Sequence, residues 1–310
     1  MPAAPPLTSR ALHARWGLAR LIVASAAGNV GNACNAGAAD GPEATRRAGA
    51  AAGSAGATGR AAAWQGAPIR AMGLSFPGPV GLAAGVDRHG VLGGKAERLG
   101  FGATETGTLV AGARLASATR LARPHGRPVG ALCGVSLGKR AATAWTRAED
   151  DYLQALHAFH ARADYVTLNP GRDRPSAARF AALVAEIARC RDRLAAQRGR
   201  ALPLVVKLPA AWLAQRDRVR VAAAFVAGGA DGLLISAEGA PSRTAACAVL
   251  REIAQALGRD ACVISVGGID SVPAALARVR AGARLIQIHR AAGAPDAGLV
   301  ARVNRALAAR

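Results

Sequence analysis

The chain lacks the features of a disulfide-held, zinc-bound or membrane-spanning protein. Its five cysteines (Cys34, Cys133, Cys190, Cys247 and Cys262) are odd in number and never form a C-x-x-C pair. That argues against a disulfide framework and a zinc site, and leaves a reducing compartment as the default. No apolar run approaches the ~18 residues of a membrane span. The stretch Leu21 to Val30 follows Arg10, Arg15 and Arg20, as the core of a signal peptide would. Only Leu21 to Val23 are strongly apolar, however, and Asn29 interrupts the small residues after them, so the chain reads as non-secreted.

Aromatic residues make up only 4% of a chain that is 51% hydrophobic. Any core must therefore be built from Ala, Val, Leu and Ile, which suits layered helices and strands. Acids are scarce too, and the net charge is +21. Such a charge points to a polyanion partner. Here it is spread evenly, with no basic tail and no aromatic-studded stripe. Only three of the 40 basic residues are lysines (Lys95, Lys139 and Lys207). Arginine for lysine, with heavy Ala and Gly use, reads as compositional bias. No specific nucleic-acid partner is expected, and a polyanion-binding reading rests on charge alone.

Residues 1–70 form an N-terminal extension that divides near Ser25. Ser9 to Ala24 could form a short basic helix with Leu12, Trp16 and Leu21 loosely on one side. Ala26 to Gly66 is Gly, Ala, Ser, Asn and Thr with almost no large apolar residue, too little to offset ordering entropy, and reads as a poorly ordered linker. After Met72 short apolar runs alternate with Ala/Arg-rich helical segments. Eight runs are legible: Val80 to Ala84, Ala103 to Gly107, Gly134 to Leu137, Tyr165 to Leu168, Leu204 to Leu208, Gly232 to Ser236, Cys262 to Val266 and Arg284 to Ile288. Expected helices span Arg147 to Arg162, Ser176 to Gln197, Trp212 to Ala227, Pro241 to Leu257, Val272 to Ala281 and Asp296 to Ala309. Eight strands and a single domain over 71–310 predict a (β/α)8 TIM barrel. The competing doubly wound sheet places a G-x-G-x-x-G turn after its first strand, and none occurs there.

In such a barrel the strand ends carry function. Those ends read Gly85-Val86-Asp87-Arg88, Thr108, Gly138-Lys139, Asn169, Lys207, Ser236, Gly267-Gly268-Ile269-Asp270 and His289-Arg290. The set is rich in glycine, cations and hydroxyls and poor in acids, which suits an anionic ligand. Lys139 and Lys207 stand out in a chain that otherwise uses arginine, as positions that require a compact ammonium. Gly267-Gly268 lets backbone N–H groups approach an anion, and the helix start near Ser271 adds its dipole. His157 and His160 lie three apart on a helix, but the nearest acid, Asp164, falls past its end, so they read as structural and no metal site is expected. Glu105 and Asp164 read as structural, and His89 as a rim residue able to contact a ligand.

Several segments carry a family resemblance. Met72 to Asp87 (MGLSFPGPVGLAAGVD), Phe101 to Thr108 (FGATETGT), Val266 to Val272 (VGGIDSV) and Ala281 to Ile288 (AGARLIQI) resemble the motifs of quinone-type (class 2) dihydroorotate dehydrogenases. Asp150-Asp-Tyr152 and Val206-Lys207 fall in order between them. The resemblance implies an FMN-dependent flavoprotein of pyrimidine biosynthesis that oxidises dihydroorotate to orotate and passes electrons to quinone. It implies that Ala83, Ala84 and Gly85 line the isoalloxazine, Thr108 bonds its ring edge and Lys207 contacts its N1 and O2 region. Ser236 joins the cofactor set, Asn169 faces flavin and substrate, Arg88 lies on the substrate side, and Gly268, His289 and Arg290 surround the phosphate. It also implies a cytoplasmic protein with peripheral contact to the inner membrane, although residues 1–70 do not reproduce the family's membrane-binding motifs.

The departures from the family concentrate on the substrate side. The family's general-base serine lies in an Asn-x-Ser-Ser-Pro-Asn loop after the fourth strand, whereas here the loop is Asn169-Pro-Gly-Arg-Asp-Arg-Pro-Ser176. Asp173 and Ser176 are the candidates to replace it, if either comes within about 3 Å of the proton to be removed. Cys133 lies before the third strand, where no base belongs. The family's Asn-Arg-Met-Gly-Phe-Asn-Asn stretch is absent, because Leu109 to Cys133 holds no asparagine. The expected Asn-Thr after the sixth strand is Ala237-Glu238, and the Gly-rich phosphate turn before the seventh strand is missing. A catalytically impaired flavin- or phosphate-binding relative with an assembly role, or an oxidoreductase for another substrate, is therefore the alternative.

Overall fold

A computed structural model of the protein describes residues 63–88, 90, 93–112, 130–289 and 297–310. The expected basic helix, nearly all of the expected linker, His89 and Arg290 lie outside them. Eight parallel strands close into a barrel: β3 (Val80–Asp87), β4 (Ala103–Val110), β5 (Leu132–Gly138), β6 (Tyr165–Leu168), β7 (Leu204–Leu208), β8 (Gly232–Ser236), β9 (Cys262–Val266) and β10 (Leu285–Ile288). A short antiparallel pair, β1 (Ile69–Ala71) and β2 (Leu74–Phe76), precedes them. β10 pairs with both β9 and β3, which closes the ring and leaves no edge strand. All eight expected runs are strands. The first three extend beyond their expected limits, because polar or glycine ends continue the ladder where the apolar signal stops.

Strand periodicity sorts the side chains into two cores. Leu204, Val206 and Leu208 of β7, Leu233 and Ile235 of β8 and Ile286 and Ile288 of β10 face the helices in one continuous cluster. Val205, Leu234, Ile264 and Leu285 alternate with them and join Phe76, Ala83, Ala103, Leu132 and Tyr165 in a smaller cluster inside the barrel. Gly134 makes room for that interior, since a Cβ there would sit 2.2 Å from the Tyr165 ring.

The helices are α1 (Ala148–Phe159), α2 (Ala177–Gln197), α3 (Ala210–Leu213), α4 (Arg218–Ala227), α5 (Arg243–Leu257), α6 (Val272–Arg280) and α7 (Ala297–Ala308). Ser176, Ser242 and Ser271 cap α2, α5 and α6, each hydroxyl accepting a backbone N–H from the first turn. The single helix expected over Trp212 to Ala227 is instead split into α3 and α4. Trp212 turns in to pack on Phe180 and Phe225, both with ring centroids 5.4 Å away. Arg218 Nη1 donates to the Leu213 carbonyl at 2.8 Å, satisfying a group the break frees.

The β1–β2 hairpin is absent from the expected strands because each arm has only three residues. Met72 and Gly73 form its turn with φ of 52° and 70°, the positive pair of a type I′ turn. Phe76 then enters the barrel interior and packs 6.1 Å from the Tyr165 ring. The hairpin thus straddles the boundary expected at residue 70, and Trp64 also packs against the outer core.

The scarce aromatics are concentrated rather than scattered. Phe180 is fully buried and meets Trp145, Tyr152, Trp212 and Phe225 at centroid distances of 5.4 to 6.1 Å. Phe180→Ala should therefore cost about 3–5 kcal/mol of stability, measured as the shift in urea unfolding. A loss below about 1 kcal/mol would show that the cluster does not organise α1 to α4.

Candidate functional site

The same alternation that fills the barrel interior builds a cavity at its carboxyl end. Following the inward series upward, Leu285 gives way to Gln287 and His289, Val205 to Lys207, Leu234 to Ser236, and Tyr165 to Thr167 and Asn169. The cavity measures about 300 Å³ and is lined by Ala83, Ala84, Glu105, Ser136, Asn169, Lys207, Ser236, Glu238, Gly267, Gly268, Ile269, Gln287 and His289, with Leu234 and Val266 between them. That volume lies at the lower end of small-molecule sites.

Its floor is polar and tightly bonded. The Glu105 carboxylate, 1% exposed, accepts from Thr167 Oγ1 at 2.9 Å and from Gln287 Nε2 at 3.1 Å. Burial raises the Glu105 pKa above its ordinary 4.5, and the bonds from Gln287 and Thr167 and the nearby Lys207 ammonium oppose the rise. Burial, and then the Glu105 charge, push the neighbouring Tyr165 hydroxyl well above its ordinary range. Glu105 read as structural from sequence, yet its carboxylate forms part of the cavity wall. Ser136 and Gln287 were missed, and inward alternation along β5 and β10 is the signal that finds them.

On the β4–β6 side the rim is held by side-chain bonds. Asn169 Nδ2 donates to Thr108 Oγ1 at 2.8 Å, Asn169 Oδ1 accepts from Gly171 N at 3.0 Å, and Thr108 Oγ1 lies 3.2 Å from Ser136 Oγ. Thr108 thus braces Asn169 from just outside the cavity lining. Lys139 does not join Lys207 at the cavity. Its ammonium pairs with Asp173 at 3.2 Å and lies 5.1 Å from the centre of the Trp145 ring. Trp145 Nε1 in turn donates to the Asp173 carbonyl at 2.6 Å, which pins the loop after β6. Neither base candidate lines the cavity: Asp173 is exposed beside Lys139, and Ser176 accepts from Arg179 N at 3.3 Å as the cap of α2. Arg88 is exposed, with Nε donating to the Gly85 carbonyl at 3.2 Å.

Opposite that rim lies the Gly267-Gly268 turn, with φ of 91° and 65°. A Cβ on Gly267 would sit 2.9 Å from Glu238 N, so only glycine fits against the strand-end loop after β8. Gly85, φ 95°, backs His289, whose Nε2 would lie 3.1 Å from a Cβ there. Away from the site, Asp164 accepts from Cys133 N at 2.7 Å and pairs with Arg200, and His157 Nε2 lies 3.6 Å from Cys190 Sγ.

A closed barrel with a cavity where all eight strands end, lined by Lys207, a Gly-Gly turn and His289, defines a (β/α)8-barrel protein with its ligand site at the carboxyl face. A family model for dihydroorotate dehydrogenase matches residues 229–310. Dihydroorotate dehydrogenase (quinone) of Paracidovorax citrulli is 31% identical over 318 aligned residues, covering 80% of this chain and 88% of that protein. The corresponding protein of Alkalilimnicola ehrlichii is 32% identical over 279, covering 72% and 80%. The ligand-free DHODH structure from Eimeria tenella superposes with a TM-score of 0.64 at 21% identity, covering 77% of this chain and 86% of that one. The chain belongs to the quinone-type dihydroorotate dehydrogenase family.

The Glu105 carboxyl links the cavity floor to stability. Its folded-state pKa is raised, so its contribution is fully present below the ordinary carboxylate range and is lost as pH rises through the folded value. Glu105→Gln keeps an acceptor for Thr167 and Gln287 without the titrating proton. The wild type should lose stability relative to this variant as pH rises above the ordinary carboxylate range, as read by urea unfolding at each pH. Parallel profiles for the two proteins would contradict a raised Glu105.

Proposed function

We propose that the chain binds FMN across the carboxyl end of the barrel and uses it to oxidise dihydroorotate to orotate, with a quinone as acceptor. The observation that carries this reading is the convergence on one cavity of Ala83, Ala84, Asn169, Lys207, Ser236, Gly268 and His289, the positions the family resemblance assigns to the flavin. Its relatives are named for this activity.

The residues present fit a phosphorylated flavin. Lys207 has no carboxylate within 4 Å among the described residues, the buried Gln287 Oε1 lacks a hydrogen-bond partner, and the Gly-Gly turn offers backbone donors. Bound FMN supplies the two-electron acceptor that no protein side chain provides. Lys207, Asn169 as oriented by Thr108 and Gly171, and the Glu105–Thr167–Gln287 floor would hold the ring, with Lys207 supplying the positive charge. Quinone delivery at the cytoplasmic face of the inner membrane belongs to the same proposal, and rests on the family. Among the described residues no helix is long and apolar enough to cross a membrane.

Two observations favour a second reading, a relative with another substrate or one that binds flavin without turnover. Asp173 and Ser176 are engaged outside the cavity, and Glu238 stands on its rim, where a carboxylate substrate would meet like charge. A single preparation separates the two. The purified protein should be yellow with FMN, and dihydroorotate added without oxygen should bleach the flavin band. Retained FMN that dihydroorotate leaves oxidised establishes the second reading, and a protein that takes up no FMN overturns both.

A further inference from the structure

Two arginines are buried among the described residues, and they are partnered very differently. Arg191 bonds the Asp231 and Asp192 carboxylates and the Leu202 and Gly229 carbonyls. Arg278, on the last turn of α6 and 3% exposed, has no carboxylate within 4 Å among the described residues. Its one hydrogen bond among the described residues runs from Nη2 to the Gly267 carbonyl at 3.3 Å. A guanidinium carries five N–H donors and keeps its charge at any physiological pH, so burying one without a counter-ion is costly. Its neighbour Arg243, engaged with Asp270, adds positive charge.

The bond to Gly267 has a directional consequence. The Gly267–Gly268 peptide is trans, so its carbonyl and its N–H point in opposite directions. With the carbonyl drawn back toward α6 by Arg278, the Gly268 N–H faces away from that helix, toward the cavity that Gly267, Gly268 and Ile269 line. That N–H has no protein acceptor among the described residues. Arg278 Nη2 lies 3.7 Å from where a Gly268 Cβ would be, so the guanidinium sits directly behind the turn.

We propose that Arg278 is the positioning residue for the phosphate end of the cofactor site: it fixes the Gly267–Gly268 peptide so that the Gly268 N–H presents to an anionic phosphate, and its buried charge waits for that anion as counter-ion. This rests on the flavin reading above. It also places a cation behind the Gly-Gly turn in a chain whose Gly-rich turn before β9 is missing.

The test compares FMN with riboflavin, which has the same ring and no phosphate, by fluorescence titration of apoprotein prepared from wild type and Arg278→Met. The variant should bind FMN about tenfold to a hundredfold more weakly, bind riboflavin as the wild type does, and melt at the same temperature or higher without ligand because an uncompensated buried charge is gone. Arg278→Lys, which keeps the charge but not the fork, should fall between them. Equal weakening of FMN and riboflavin, or a lowered apo melting temperature, would make Arg278 structural and overturn the proposal, as would an unchanged FMN affinity. If wild type binds neither flavin, the flavin reading fails. Inorganic phosphate then decides for Arg278 alone: it should raise the melting temperature of wild type but not of Arg278→Met, and equal responses overturn the role.

Discussion

Everything in this protein depends on the two-residue periodicity of eight strands closed into a ring. Closure gives every strand an inside and an outside, and alternation sends one set of side chains to the helices and the other to the axis. The outer set is almost purely Val, Leu and Ile, packed against α1 to α7. The inner set is apolar near Phe76 and Tyr165 and turns polar toward the carboxyl end, where packing no longer fills the space. The stabilising core and the ligand cavity are thus successive levels of one stack. A one-residue slip of β7 would place Val206 or Leu208 at the cavity in place of Lys207.

The polar floor is where these levels meet. Glu105 is buried deeply enough for desolvation to raise its pKa, and it is held by Thr167 of β6 and Gln287 of β10, the next strand but one in each direction. A network of this kind rigidifies the bottom of the cavity because its members lose their partners if any strand shifts. Around the rim, rigidity comes from other sources. Lys139, Asp173 and Trp145 fasten the loop after β6, and Arg278 draws back the turn after β9. The rim is therefore held by bonds internal to the protein.

The eight strands could be read along the chain because most are contiguous apolar runs bounded by glycine or polar residues, and seven begin or end where the run does. The family motifs at both ends of the barrel were equally legible, being local strings such as Val266-Gly-Gly-Ile-Asp270. Ser136, Gln287 and the cavity-facing role of Glu105 were not, since only the closed ring shows which polar strand residue faces the cavity and what lies opposite it. The three-residue arms of the β1–β2 hairpin carried too little pattern to register, and the break between α3 and α4 follows from Trp212 packing on rings distant in sequence.

What the sequence by itself determined was the kind of fold and the kind of ligand: a parallel barrel, strand ends rich in glycine and cations, and a family whose motifs survive around Gly85, Thr108 and Gly268. Local periodicity and short motifs encode these, and neither needs distant residues to be understood. Tertiary structure alone decided which of two strand-end lysines faces the cavity, that Asp173 pairs with Lys139, and that Arg278 is buried with no acid beside it among the described residues. Each of those outcomes depends on what a side chain meets across the fold, and the free energy of a charge or a hydroxyl is set by those neighbours rather than by its place in the chain.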